Sequence, residues 1–273
     1  MRRHYSILFS LVALLGAGWG DDARAQFMPR NLEPDRIRPQ TKIALPKIET
    51  VPDAVDYFLE PGNRERNPGP TYPMVHLRIP KAPYFDKESS NGPARAYGLH
   101  ITMFYPNFSG LADEENAECR TRARLATNYW GHCRRQLTVS MTYHHGPSLE
   151  FYYKIFHDSL SRGYIKPVAQ KSRYPGLELV GSNMVDGSTR SAALKRNFYL
   201  SRNLLTNQPE FVIDCSEYVP SPACDVSFPA RNSSHIAIDL TFVLALLPQW
   251  RQVIEATMDK VDSMIVRTYE LPR

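Results

Sequence analysis

The chain has 273 residues, of which 42% are hydrophobic and 22% are charged, and this composition is typical of a globular protein. Its formal net charge of +5 is too small to indicate a nucleic-acid-binding protein, so we expect no nucleic acid among its partners.

The first 25 residues have the organisation of a secretory signal peptide. Arg2 and Arg3 form a basic start, residues 7–17 form an apolar run, and Ala23-Arg24-Ala25 fits a cleavage site. The apolar run is too short to cross a bilayer, so no membrane span is expected. The sequence therefore predicts a signal peptide at residues 1–25 and a soluble protein outside the cytoplasm.

Residues 26–71 are predicted to form a proline-rich extended arm, followed by a single domain at residues 72–273. Nine prolines fall between positions 29 and 73. A proline removes a backbone donor and disfavours helix at the preceding residue. The pattern leaves room for a short helical turn at residues 53–59.

The first half of the domain shows both strand and helix patterns. Apolar residues alternate over residues 74–79 and 96–105, which predicts two strands. Residues 113–128 are predicted to form a helix, because acidic residues precede a group of arginines in the order that the helix dipole favours.

A β-hairpin is predicted at residues 136–145 and 149–157, joined by Gly146-Pro147-Ser148. In that register Tyr143 faces Phe151, and all the large apolar side chains share one face of the hairpin. Further short strands are predicted at residues 177–180, 197–201, 211–215, 225–228 and 236–243.

The clearest local pattern follows the last of these strands. Apolar residues recur at intervals of three and four, which predicts a long amphipathic helix whose stripe packs on one face of a sheet. The stripe consists of Trp250, Val253, Ile254, Thr257, Met258, Val261, Met264 and Ile265. Together the elements predict an α+β fold with a mainly antiparallel β-sheet.

Four cysteines in an exported protein indicate two disulfide bonds, with three pairings open. We favour the local pairs Cys119–Cys133 and Cys215–Cys224, because each closes a short loop between elements that are expected to be adjacent. The spacings do not fit a zinc site, and no C-x-x-C motif occurs.

Motifs of catalysis are missing from the sequence. It contains no G-x-S-x-G, no glycine-rich phosphate loop and no H-E-x-x-H. His144, His145 and His157 are close in sequence, but the predicted hairpin places His157 far from the other two. We therefore predict no catalytic residue, no metal and no cofactor.

Aromatic, arginine and histidine side chains near strand ends or on the polar side of a strand are the candidate partner-binding residues. Tyrosine and arginine are favoured at protein interfaces, since they bury a large area and keep a polar group. Ordinary strand packing and solvated charge are the alternative interpretation. The candidates are Tyr84, Phe85, Arg134, Arg135, His144 and Tyr152.

Scattered segments of residues 74–266 resemble a group of exported proteins of Gram-negative bacteria. The segments are Leu77-Arg-Ile-Pro-Lys-Ala82, Phe104-Tyr-Pro106, the Cys215/Cys224 pair and Leu247-Pro-Gln-Trp250. The group is encoded beside effectors of type VI secretion, and some of its members are similar to immunity proteins. This resemblance implies a periplasmic binding protein whose partner is a protein, namely a toxin that it occludes. An envelope-acting hydrolase with a dispersed site and a structural envelope component remain as alternatives.

Overall fold

The computed structural model describes residues 44–61, 71–84, 93–110, 113, 116–117, 119, 133, 135–144, 146, 148–183, 196–216 and 222–272. The predicted signal peptide and most of the predicted helix at residues 113–128 lie outside these ranges.

Nine strands of the described chain form a large sheet in which all neighbours are antiparallel. Its spatial order is β5-β4-β6-β12-β11-β10-β9-β8-β7. The strands are β4 (Gly98–Phe104), β5 (Ser109–Gly110), β6 (Gln136–Tyr143), β7 (Lys166–Lys171), β8 (Leu177–Asn183), β9 (Arg196–Arg202), β10 (Pro209–Ser216), β11 (Ala223–Pro229) and β12 (Ile236–Val243).

A small sheet of four described strands has the order β13-β2-β1-β3. Its strands are β1 (Ala54–Leu59), β2 (Thr71–Pro80), β3 (Ala94–Ala96) and β13 (Ile265–Pro272), and the short helix α1 (Lys81–Tyr84) follows β2. All six residues of β1 are buried, although this strand lies within the range predicted as an extended arm. The helical turn at residues 53–59 was a wrong prediction, because Val55, Tyr57 and Leu59 alternate into the core as a strand does.

The predicted hairpin is also wrong in its second half, because Leu149–Ser161 form helix α2. Ser148 has extended backbone angles, and its side chain accepts a hydrogen bond from the Phe151 N–H at 3.1 Å. That geometry is an N-cap, so the predicted turn residue begins a helix. Strand β6 pairs instead with β12 and β4, and Tyr143 lies opposite Ile236 rather than Phe151.

The other strand predictions are confirmed within observed strands. The predicted strand at residues 96–105 is divided, since Ala96 ends β3 and Gly98 begins β4. Strands β7 and β13 were not predicted. The α+β class and its mostly antiparallel sheets are confirmed.

The chain after β12 forms a 3₁₀ helix at Leu244–Gln249 and then helix α3 at Trp250–Asp262. The helix ends at Asp262, so Met264 and Ile265 of the predicted stripe lie beyond it, and Ile265 begins β13. One core joins the inner faces of both sheets to buried residues of this segment, which are Trp250, Val253, Ile254, Met258 and Val261.

Both predicted disulfide bonds are present. Cys119 pairs with Cys133, and Cys215 pairs with Cys224. The second bond joins residues that lie directly opposite each other on β10 and β11, and both of its cysteines are fully buried. It therefore fixes the centre of the large sheet.

Candidate partner-binding surface

Helix α2 lies on the outer face of the large sheet, opposite the main core. Phe156 on the helix packs with Ile165 and Phe198, and these three buried residues form a core of their own. Partly buried side chains complete this contact: Tyr153, Leu160, Val180 and Val212. The helix is thus a rigid platform on the sheet.

The exposed side of α2 carries two large apolar side chains. Phe151 is 41% exposed and Ile155 is 51% exposed. They are four residues apart, so they lie side by side on the helix surface. We define the α2 surface as these two residues with His144 and Tyr152.

Ring contacts hold the start of this surface together. The His144 ring lies 5.3 Å from the Phe151 ring, and the Phe151 ring lies 5.5 Å from the Tyr152 ring. The structure thus brings together two of the six residues predicted from sequence, and it adds Phe151 and Ile155.

The Tyr152 hydroxyl is a buried polar group without a hydrogen-bond partner in the described part of the chain. Burial raises the pKa of this tyrosine, and the negative charge of Asp239 raises it further. A buried donor without a partner is unusual in a folded protein. The hydroxyl lies beneath the surface, so the exposed part of the α2 surface is its apolar pair, Phe151 and Ile155.

A charged row runs across the sheet beside this platform, and we define it as Arg196, Asp214 and Asp225. The Arg196 Nε lies 2.8 Å from an oxygen of Asp214, and its terminal nitrogen lies 3.1 Å from an oxygen of Asp225. Thr241 donates a hydrogen bond of 2.6 Å to Asp225. One guanidinium thus bridges two carboxylates that face each other across β10 and β11.

Burial raises the pKa of Asp214 to about 6, even though Arg196 opposes the shift. The pKa of Asp225 is also raised, with desolvation as the largest cause. Asp239 follows on β12; it is exposed and accepts a 2.5 Å hydrogen bond from Ser227. The face therefore offers the exposed carboxylate of Asp239, and the Asp225 side chain, which is 46% exposed, lies beside an arginine that already contacts two carboxylates.

The remaining predicted residues do not join the α2 surface. Tyr84 is buried, donates a hydrogen bond to the Phe108 carbonyl, and has a pKa raised to about 12 by its burial. Arg135 is exposed, but it precedes β6 while His144 follows it, which separates the two by about 30 Å. Phe85 and Arg134 lie outside the described residues.

A buried polar cluster on the small sheet was not found by sequence reasoning. His76 Nε2 lies 2.7 Å from an oxygen of Asp56, and Arg78 Nε donates to that same oxygen at 2.8 Å. The His76 ring stacks on Phe58 with centroids 4.8 Å apart. The available signal was that His76 and Arg78 alternate with the aliphatic residues of β2, but pairing them with Asp56 required β1 to be recognised as a strand.

The described residues contain no group of three or more histidine, cysteine, aspartate or glutamate side chains with metal-binding geometry. Among them there is also no helix that is both long and apolar enough to cross a membrane.

The fold and its disulfide bonds define the class as an α+β protein in which helix α2 packs on the outer face of the large sheet. No family model matches the chain, and no curated protein matches it. Two solved structures have a limited likeness to it. Smlt3025, an immunity protein of the Stenotrophomonas maltophilia type IV secretion system, has 14% identity and a TM-score of 0.46, and the match covers 71% of this chain and 90% of that chain. The iron-regulated outer membrane lipoprotein FrpD of Neisseria meningitidis has 9% identity and a TM-score of 0.42, with 78% and 93% covered.

Proposed function

We propose that the protein is a periplasmic binding protein of the immunity type, which binds a toxic effector and occludes it. The effector belongs to an antibacterial secretion system, and the resemblance of the sequence implies type VI. The observation that carries the proposal is the exposed apolar pair Phe151 and Ile155 on a helix that is packed firmly on the sheet.

Apolar anchors on a rigid element are what a specific protein contact requires. Side chains that are ordered before binding lose little conformational freedom on association, which favours affinity. Phe151 is held by its ring contacts with His144 and Tyr152, so it is partly ordered in advance. An effector that covers this pair removes both side chains from water.

A polar group near the pair supplies specificity. The exposed carboxylate of Asp239 favours a basic side chain of the effector. The compartment fits as well, since the two disulfide bonds are typical of proteins outside the cytoplasm.

A competition assay tests this function. In the organism that encodes the protein, deletion of the gene should make cells sensitive to their own parent strain, because the parent delivers the effector. Wild-type protein should restore survival. The double variant F151D/I155D should not, although it accumulates normally, because both side chains are exposed and their loss leaves the core intact.

The matched control is L204S/L205S, which changes another exposed apolar pair on a different part of the sheet and should restore survival. Survival of the deletion strain beside its parent would refute the immunity role. Rescue by F151D/I155D would refute the α2 surface as the binding site while leaving the role intact.

An envelope-acting hydrolase is the second candidate, and the raised pKa of Asp214 favours it. A carboxyl with a pKa of about 6 beside a second carboxyl, Asp225, resembles an acid/base pair. Arg196 contacts both groups, which argues for a structural role. Digestion of purified peptidoglycan by the protein, lost in Asp214→Asn, would support the hydrolase, and absence of digestion would exclude peptidoglycan as its substrate.

A further inference from the structure

A short segment before β1 packs on the outer face of the small sheet, and we call residues 44–50 the strap. The strap forms neither helix nor strand. Its Leu45 and Ile48 pack against the cluster of Phe58 and Met74, two side chains that are completely buried. The residues that alternate with these two on β1 and β2 point into the main core, so the strap lies on the opposite face. It is independent of the α2 surface and of the proposed immunity role.

An arginine ties the strap to the buried pair of His76 and Asp56. The terminal nitrogen of Arg78 donates to the Glu49 carbonyl at 2.5 Å. The Nε of the same side chain donates to the Asp56 oxygen that His76 Nε2 also contacts. One guanidinium therefore holds both the strap and the buried pair.

Protonation of His76 is unfavourable while the strap is in place. Because Nε2 contacts Asp56, the second proton of the imidazolium needs an acceptor at Nδ1. Nδ1 is buried and has no hydrogen-bond partner in the described part of the chain. A buried cationic N–H without a partner is costly. Burial is accordingly the largest cause that lowers the pKa of His76 from 6.5.

The charges closest to His76 add to this effect. Arg78 on β2 and Arg267 on β13 both oppose a positive charge on the ring, whereas Asp56 on β1 favours it. The titratable Tyr269 ring of β13 lies 6.4 Å from the His76 ring. Protonation therefore places three cations around one carboxylate.

The remaining charged groups of the surrounding elements lie further out or are paired. On the strap, Lys47 and Glu49 are exposed. On β3, Arg95 is paired with Glu60 at 3.1 Å. The groups that act on His76 are therefore those of β1, β2 and β13.

We propose that the strap is a pH-sensitive cover, in which protonation of His76 displaces Arg78, breaks its bond to Glu49 and frees residues 44–50 from the sheet. The strap yields first because β1, β2 and β13 are held by ladders of backbone hydrogen bonds. The strap itself is attached through two apolar side chains and the Glu49 carbonyl. Acid favours the open strap, since the open state binds the proton that the closed state excludes.

Oxidation of Met74 by hydrogen peroxide, followed by mass spectrometry, tests this proposal on the purified protein with both disulfide bonds intact. Met74 is completely buried beside the strap, and Met141 is completely buried in the main core. Lowering the pH from about 7 to about 5 should make Met74 oxidise at least about threefold faster, because an uncovered methionine reacts more readily. Met141 should keep its rate, and in His76→Gln the rate of Met74 should not depend on pH.

Two variants of the segment serve as controls. Ile48→Asp should open the strap and leave Met74 reactive at both pH values, because it places a charge on the apolar contact. Val51→Asp changes an exposed side chain just beyond the strap and should behave like the wild type.

Three results would overturn the proposal: no change at Met74 in the wild type, an equal rise at Met141, or an undiminished rise in His76→Gln. The second would indicate unfolding of the whole protein rather than release of the strap. Protection of Met74 in Ile48→Asp would overturn the role of the strap as its cover. If His76→Gln does not fold, the comparison of Met74 with Met141 in the wild type still decides between release of the strap and global unfolding.

Discussion

His76 and Asp56 form a buried pair on the outer face of the small sheet, with Nε2 and Oδ1 2.7 Å apart. Both residues are almost completely buried, and the other ring nitrogen of His76 has no partner in the described part of the chain. A buried ionisable pair of this kind couples the stability of the protein to pH.

Acidification should destabilise the protein through His76. Burial lowers the pKa of His76 below its usual value of 6.5, although Asp56 opposes the shift. The unfolded chain therefore takes up a proton first, so the free energy of unfolding should fall as the pH drops below about 6.5. Urea titrations between about pH 7 and pH 5 should show a smaller loss for His76→Gln than for the wild type.

The matched control for this prediction is His157→Gln, because His157 is exposed on α2. Asp214 acts in the opposite direction, since its pKa raised to about 6 gives stability that is lost as the pH rises through that value. Asp214 is present in the wild type and in both variants. A difference in the pH dependence of their free energies of unfolding therefore reports on the substituted histidine. Equal pH dependence in the wild type and His76→Gln would contradict the prediction.

Trp250 should contribute more to stability than any other side chain of α3. Its indole N–H donates to the Pro175 carbonyl at 2.9 Å, and its ring packs edge-on against Phe211. We expect Trp250→Ala to lower the free energy of unfolding by about 3–5 kcal/mol. Trp250→Phe keeps most of the volume but loses the hydrogen bond, so it should cost about 1–3 kcal/mol. Urea unfolding that ranks the two variants in the reverse order would argue against this assignment.

Ser148 should be required for the full stability of α2. Its side chain caps the helix by accepting from the Phe151 N–H, so Ser148→Ala should cost about 0.5–2 kcal/mol. Ser161→Ala is the control at the other end of the helix, where the hydroxyl donates only to the Asp158 carbonyl within its own turn. Chemical unfolding followed by circular dichroism should distinguish the two variants. Equal losses in the free energy of unfolding would show that Ser148 does not act as a cap.

Loss of the Cys215–Cys224 bond should destabilise the large sheet. The bond closes a loop with a sequence separation of 9, for which chain entropy predicts about 2–3 kcal/mol. The double variant C215S/C224S should therefore unfold at lower urea concentration than the wild type. In that variant Cys119–Cys133 is the remaining disulfide bond, so any further loss of stability on addition of a reductant comes from that bond. Non-reducing mass spectrometry that links Cys133 to Cys215 would contradict both pairings.

Strand periodicity was enough to predict much of the fold. Residues 236–243 alternate between apolar and polar side chains, and they form β12 with the predicted bounds. The prediction of the hairpin failed because the sequence Gly146-Pro147-Ser148 is equally compatible with a turn between two strands and with the N-cap of a helix. Strand β1 was missed since prolines surround it on both sides.

The candidate surface was harder to predict than the fold. Tyr152 and His144 were predicted to lie on the polar side of the hairpin, and they do lie close together, but the helix that carries Tyr152 was not predicted. Phe151 was assigned to the core face of a strand, whereas it is exposed on α2. A surface formed by a helix on a sheet depends on tertiary packing, which the local pattern does not contain.

The position of β13 has a consequence for the order in which the protein assembles. β13 pairs with β2, although the two strands come from opposite ends of the described chain, whereas β10, β11 and β12 each pair with a strand that is close in sequence. Contacts between distant segments form slowly, so the small sheet should close after the centre of the large one. Until then one edge of β2 remains unpaired, and newly made chains should be most prone to aggregate during that interval.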